Sequence, residues 1–169
     1  PNSGCVTVKR NTQPVRRYDY TYWSSPVVNQ SLYSFSPDTR PDKYFSWTHS
    51  TQEWLQRNPS ITNMDPGIGY IIRAPDNYAI NGTGTVWHGE FNGVPTNGDV
   101  TVSVTGNSNP ILPDDEKWNL IGNPYPSSLD AIAFYNDPLN EPYLDGTFYV
   151  WTHNSAPSSV YDGDYTYNY

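Results

Sequence analysis

Apolar and polar side chains alternate along much of the chain with the two-residue period of a β-strand. Residues 99–105 show it most cleanly: Val100, Val102 and Val104 interleave with Thr101, Ser103 and Thr105, and Asn97-Gly98 just before them is a turn signal. In residues 85–91, Thr85, Trp87, Gly89 and Phe91 fall on one side and Val86, His88 and Glu90 on the other. Residues 17–23 place Tyr18, Tyr20 and Tyr22 opposite Asp19, Thr21 and Trp23, so both faces of that strand are expected to be covered. Further strands are predicted over 6–8, 43–47, 69–73, 118–121 and 147–151. One helix is expected near 128–135, where Ser127 or Ser128 can cap a turn, Leu129, Ile132 and Ala133 share a face, and Pro138 bars continuation. Many short strands, long loops and at most one short helix predict an all-β fold, a sandwich or a jelly-roll-like unit.

The pattern also repeats. Trp47-Thr48-His49 returns as Trp151-Thr152-His153, and Tyr22-Trp23-Ser24-Ser25-Pro26 lines up with Leu120-Ile121-Gly122-Asn123-Pro124. A period near one hundred residues is too long for a solenoid unit and suits a duplicated β-rich module. The expected organisation is a β module over 1–113, containing the first copy and an N-terminal strand, with a partial second copy over 114–169 packed on it. The first copy continues into Pro66-Gly67-Ile68-Gly69-Tyr70, whose counterpart would begin near position 168. The chain is therefore expected to be a piece of a longer protein. Trp47, His49, Trp151 and His153 are read as structural members of the repeat, with both tryptophans mostly buried and both histidines bonded to backbone or hydroxyl groups at strand ends. Trp23 and Trp118 are expected in the core for the same reason.

Composition narrows the classes of function. Charged residues are 15% of the chain, against roughly a quarter in ordinary globular proteins. Sixteen prolines and twelve glycines punctuate it, while fifteen tyrosines and six tryptophans supply surface for burial. A net charge of −8 argues against nucleic-acid binding, which needs a cationic face. Lys9, Arg10, Arg16 and Arg17 are too sparse to reverse that. No apolar run approaches the roughly twenty residues of a membrane helix, so no membrane insertion is expected. Low Lys and Glu with abundant Asn, Thr, Ser and Tyr is usual in exported β proteins. Cys5 is the single cysteine, so no disulfide can form within the chain. It is expected to be a small core residue, the alternative being a partner cysteine elsewhere.

Four blocks carry a family resemblance: Arg17-Tyr18-Asp19-Tyr20-Thr21-Tyr22-Trp23-Ser24-Ser25-Pro26-Val27, Pro66-Gly67-Ile68-Gly69-Tyr70-Ile71-Ile72-Arg73-Ala74-Pro75, Phe91-Asn92-Gly93-Val94-Pro95-Thr96-Asn97-Gly98 and Trp118-Asn119-Leu120-Ile121-Gly122-Asn123-Pro124-Tyr125-Pro126-Ser127. In this order they resemble the C-terminal part of large secreted proteins of Bacteroidota, the cargo of the type IX secretion system. The resemblance covers roughly residues 8–169. It implies a secreted or cell-surface, outer-membrane-associated address, with flanking domains of the same polypeptide and the secretion machinery as partners. It transfers no catalytic residues.

Candidate chemistry is sparse. Glycoside hydrolysis needs two carboxylates across a cleft. Glu90, beside Trp87 and His88, is the best acid candidate, but an outward-facing polar residue on an edge explains it better. There is no Gly-x-Ser-x-Gly elbow, and His49, His88 and His153 lack zinc-binding spacing. No metal site is therefore assigned and no cofactor is expected. Calcium remains possible at the acidic turns Asp114-Asp115-Glu116 and Asp162-Gly163-Asp164. The glycines of Gly67-Ile68-Gly69 are read as serving a tight turn or bulge, not a phosphate. Sugar rings stack on exposed aromatic faces, and Trp54, Trp87 and Tyr78 are the candidate ligand-binding residues. The leading expectation is a non-catalytic, structural or adhesive surface module. A carbohydrate-binding module contacting surface polysaccharide is the alternative, and a hydrolase explains the sequence least. Two or three coplanar outward rings would favour the second, and paired carboxylates in a cleft the third.

Overall fold

The computed structural model describes residues 3–106, 117–144 and 148–150. Among them eight strands form antiparallel sheets: β1 (Val6–Val15), β2 (Tyr20–Trp23), β3 (Gln30–Ser31), β4 (Tyr44–Thr48), β5 (Glu53–Gln56), β6 (Asn63–Met64), β7 (Tyr70–Arg73) and β8 (Thr85–Gly93). β1 pairs with β8, β2-β7-β4-β5 make a four-stranded sheet, and β3 pairs with β6. The fold is an all-β sandwich. The β1–β8 ribbon lies over the inner face of the four-stranded sheet, and alternation explains why. Trp87 and Phe91 point inward from β8, Trp23 from β2, Tyr44 from β4, and Tyr70 and Ile72 from β7, all buried. Their rings interlock: Trp23 meets Trp87 at 5.0 Å and Phe35 at 4.9 Å, and Phe35 stacks on Phe91 at 4.6 Å.

Among the described residues there are two short α-helices, one more than expected, and a 3-10 turn at Glu141–Tyr143. α1 (Leu32–Phe35) is capped by Ser31, whose hydroxyl accepts from the Ser34 N–H. α2 (Ala131–Tyr135) starts one turn later than the serines suggested, because the Asp130 carboxylate accepts from the N–H groups of Ile132 and Ala133. Leu129, Ile132 and Ala133 are exposed and form no buried stripe.

One turn aligned by the sequence repeat recurs locally. Ser25 accepts from the Val27 N–H just before the first helix, and Asn123 accepts from the Tyr125 N–H just before the second, in each case around a buried proline. Tyr20 lies 6.2 Å from Phe45 at 52°, whereas Trp118 and Tyr149, aligned with them in the repeat, meet edge-on at 4.7 Å and 68°. Trp151 and His153 lie outside the described residues.

Several expectations are corrected. Residues 99–105 alternate as anticipated, Val100, Val102 and Val104 being half-buried and Thr101 and Ser103 exposed, yet they form no ladder among the described residues. Residues 118–121 likewise make only the Ile68–Ile121 bridge. Periodicity reports which side is covered, whereas a strand also needs a neighbour to bond. β5, the β3–β6 pair and the extension of β1 to Val15 were not anticipated. Trp118 is 41% exposed, because it lies over the outer face of the sheet and not inside the sandwich. Cys5 is exposed, just ahead of β1.

Candidate functional site

The polar and aromatic groups that could receive a ligand meet in a groove of about 310 Å³ between residues 36–39 and 75–78. Phe35 and Trp87 form its floor, with Asp38, Asn77, Tyr78 and His88 around it. Its two loops are tied together: the Asp76 N–H donates to the Asp38 carbonyl at 2.9 Å, and Asn77 Nδ2 donates to Asp38 Oδ2 at 3.0 Å. Tyr78 is held from below by Arg17, whose Nε donates to the Tyr78 carbonyl at 3.2 Å. Burial raises the Tyr78 phenol above its ordinary pKa, so it offers a neutral hydroxyl near pH 7. His88 Nδ1 shares a hydrogen bond with Asn11 Oδ1 at 2.8 Å.

Two of the three candidate rings, Tyr78 and Trp87, therefore meet here, but Trp87 does so with a correction. Only 4% of it is exposed, since it belongs to the inward face of β8 and packs edge-on against Trp23. It can present a rim to the groove and not a face to a sugar. Trp54, on β5, is 36% exposed and lies elsewhere, on the outer face of the four-stranded sheet. There it meets Trp47 at 5.1 Å and 73°, and Tyr22 at 6.3 Å and 48°. Those angles leave no coplanar platform.

The outer face is instead where the second half of the chain docks. Trp47 Nε1 donates to the Trp118 carbonyl at 2.7 Å. Gln52, in the left-handed region at φ 58°, clamps the same residue: its Oε1 accepts the Trp118 N–H at 2.6 Å and its Nε2 donates to the Trp118 carbonyl at 3.1 Å. His49 Nδ1 bonds Thr105 Oγ1 at 2.6 Å, the hydroxyl partner expected at a strand end. Val100 and Val102 lie where a side chain at residue 67 would point, and Leu120 where one at residue 69 would. Gly67 has φ 81°, so the turn reading holds there, but both glycines also seat other side chains. Gln52 and the two-glycine seat carried no legible signal beyond the glycines themselves.

Catalytic constellations are thin. Asp38 is the one carboxylate among the described residues lining the groove, and it is engaged by Asn77. Glu90 points outward and pairs with Lys9 at 2.7 Å. No cluster of His, Cys, Asp or Glu suited to a metal occurs among the described residues, and both acidic turns considered for calcium lie outside them. Lys9, Arg10, Arg16 and Arg17 all have protein partners: Glu90, the Tyr125 and Pro126 carbonyls, Asp19, and the Tyr78 carbonyl.

These features define an all-β sandwich whose outer aromatic face holds residues 118–120. The chain belongs to the family described as a domain of unknown function (DUF8693), whose model matches residues 1–169. No curated protein and no solved structure matches it.

Proposed function

We propose that the chain is a non-catalytic module of a large exported protein, held at the cell surface by the type IX route, with a structural or adhesive role. The observation that carries this reading is the use of the outer aromatic face. Trp47, Gln52 and Gly69 hold residues 118–120 there, and Trp54 and Tyr22 stand at angles unsuited to stacking a sugar chain. The motif blocks point to the Bacteroidota cargo class, which makes the flanking domains and the secretion machinery its partners. The test is surface labelling of the full-length protein in its own cells, with and without a working type IX apparatus. Labelling that persists when the apparatus is disabled rejects the route. Hydrolysis of a polysaccharide or peptide by the purified chain, abolished by Glu90→Gln, rejects the non-catalytic role.

Carbohydrate binding is a second reading, favoured by the groove, where Tyr78, Asn77 and His88 surround the rim of Trp87. At about 310 Å³ it is at the small end for a ligand pocket and suits one sugar unit better than a chain. Calorimetric titration with a panel of surface polysaccharides tests it. Binding that Tyr78→Ala abolishes supports the reading, and silence across the panel removes it.

A further inference from the structure

We infer that β5 is a self-complementary edge through which two copies of this chain pair. All four residues of β5 are exposed, and β5 ends the sheet order β2-β7-β4-β5. Its inner side is occupied by β4, with Arg57 N donating to the Tyr44 carbonyl at 2.7 Å and Leu55 opposite Ser46. Backbone groups alternate in direction along an antiparallel strand. Glu53, Leu55 and Arg57 therefore aim theirs at β4, and Trp54 and Gln56 aim theirs outward. Among the described residues nothing bonds the backbone of Trp54 or Gln56 on that side. Such an edge is a template for another strand.

The side chains indicate which strand. In an antiparallel pairing about a two-fold at Leu55, Trp54 of one copy faces Gln56 of the other, which is the hydrogen-bonded pairing their outward backbone groups require. The same register sets Glu53 against Arg57 twice. Glu53 has no ion pair among the described residues, and Arg57 commits its Nε to Ser46 Oγ at 2.8 Å, leaving its terminal nitrogens for a carboxylate. Leu55, 46% exposed, then meets its symmetry mate. Opposite charges and matching apolar groups across a pair favour association, whereas like charges oppose it. A two-fold contact closes at a dimer, joining two four-stranded sheets into one of eight. This inference is independent of the export route proposed above.

The test is sedimentation of the 169-residue chain over a range of concentrations at low salt. The expected result is a monomer–dimer equilibrium. Glu53→Arg alone and Arg57→Glu alone should each weaken it at least tenfold, since each places like charges across both contacts. An equimolar mixture of the two variants should regain association as a heterodimer, as should the double variant with itself. Gln56→Pro removes an outward N–H without touching the bonds to β4, and should give a folded monomer. A monomer at every concentration, or a dimer indifferent to both charge reversals and to Gln56→Pro, overturns the proposal.

Discussion

The indole N–H of Trp47 donates to the backbone carbonyl of Trp118 across 71 residues of chain, at 2.7 Å. This bond ties β4 to residue 118 in the last third of the chain. Replacing Trp47 with Phe keeps most of the ring but removes the donor, and should cost about 1 kcal/mol, the net worth of a typical hydrogen bond. Amide exchange at residues 117–120 should quicken while that of β8 stays unchanged. Uniform exchange across both would disprove a local anchor.

Gly69 offers a sharper test of the same interface. A Cβ there would overlap the Leu120 side chain, so Gly69→Ala should destabilise by about 1–3 kcal/mol, the usual cost of overpacking. Adding Leu120→Ala should return part of the loss, because the second change removes the obstruction. Strict additivity of the two in denaturant melts would mean that they do not share a contact.

Trp23 touches Phe35, Trp87 and Phe91 at once and is the hub of the core. Trp23→Ala should cost about 3–5 kcal/mol, as deleted core aromatics do. Trp54→Ala, at an exposed edge, should cost much less. Equal melting shifts for the two would contradict their burial.

Tyr44 is fully buried, and its hydroxyl donates to the Ser36 carbonyl. Ser36 and Thr39 share a hydroxyl bond of 2.8 Å, and Thr39 Oγ1 donates to the Arg73 carbonyl at 2.8 Å. Burial, the largest cause, pushes the phenol up to about 12 from 10.0. The folded state therefore keeps this proton after the unfolded chain has lost it, so stability is full below pH 10 and falls as pH rises from about 10 toward 12. Chemical denaturation across pH 8 to 12 should show this decline, and Tyr44→Phe should flatten part of it. At pH 7 the same variant should lose about 1 kcal/mol, the net worth of a hydrogen bond, because the Ser36 carbonyl still accepts the Thr39 N–H. An unchanged pH slope in Tyr44→Phe would refute the assignment.

The alternation in residues 85–91 was a sound guide because β8 is covered on one side and bonded to β1: Trp87, Gly89 and Phe91 are buried, and His88 and Glu90 are exposed. The same pattern in 99–105 identified the covered side and still gave no strand. α1 was not anticipated. In a four-residue helix the 3.6 period has no room to register, so only the Ser31 cap could have signalled it.

The all-β class, most of the strands and the outward place of Glu90 were legible along the chain, because these follow from local period and punctuation. Which rings are exposed was settled by packing between segments. Trp87 and Trp54 each sit on an alternating or polar stretch, yet one is sealed beneath Trp23 and the other stands on an open edge. Burial of a strand residue depends on which layer lies over its face, and a strand edge is free or paired according to its place in the sheet order. Both are set by contacts between segments distant in sequence, which no local pattern encodes.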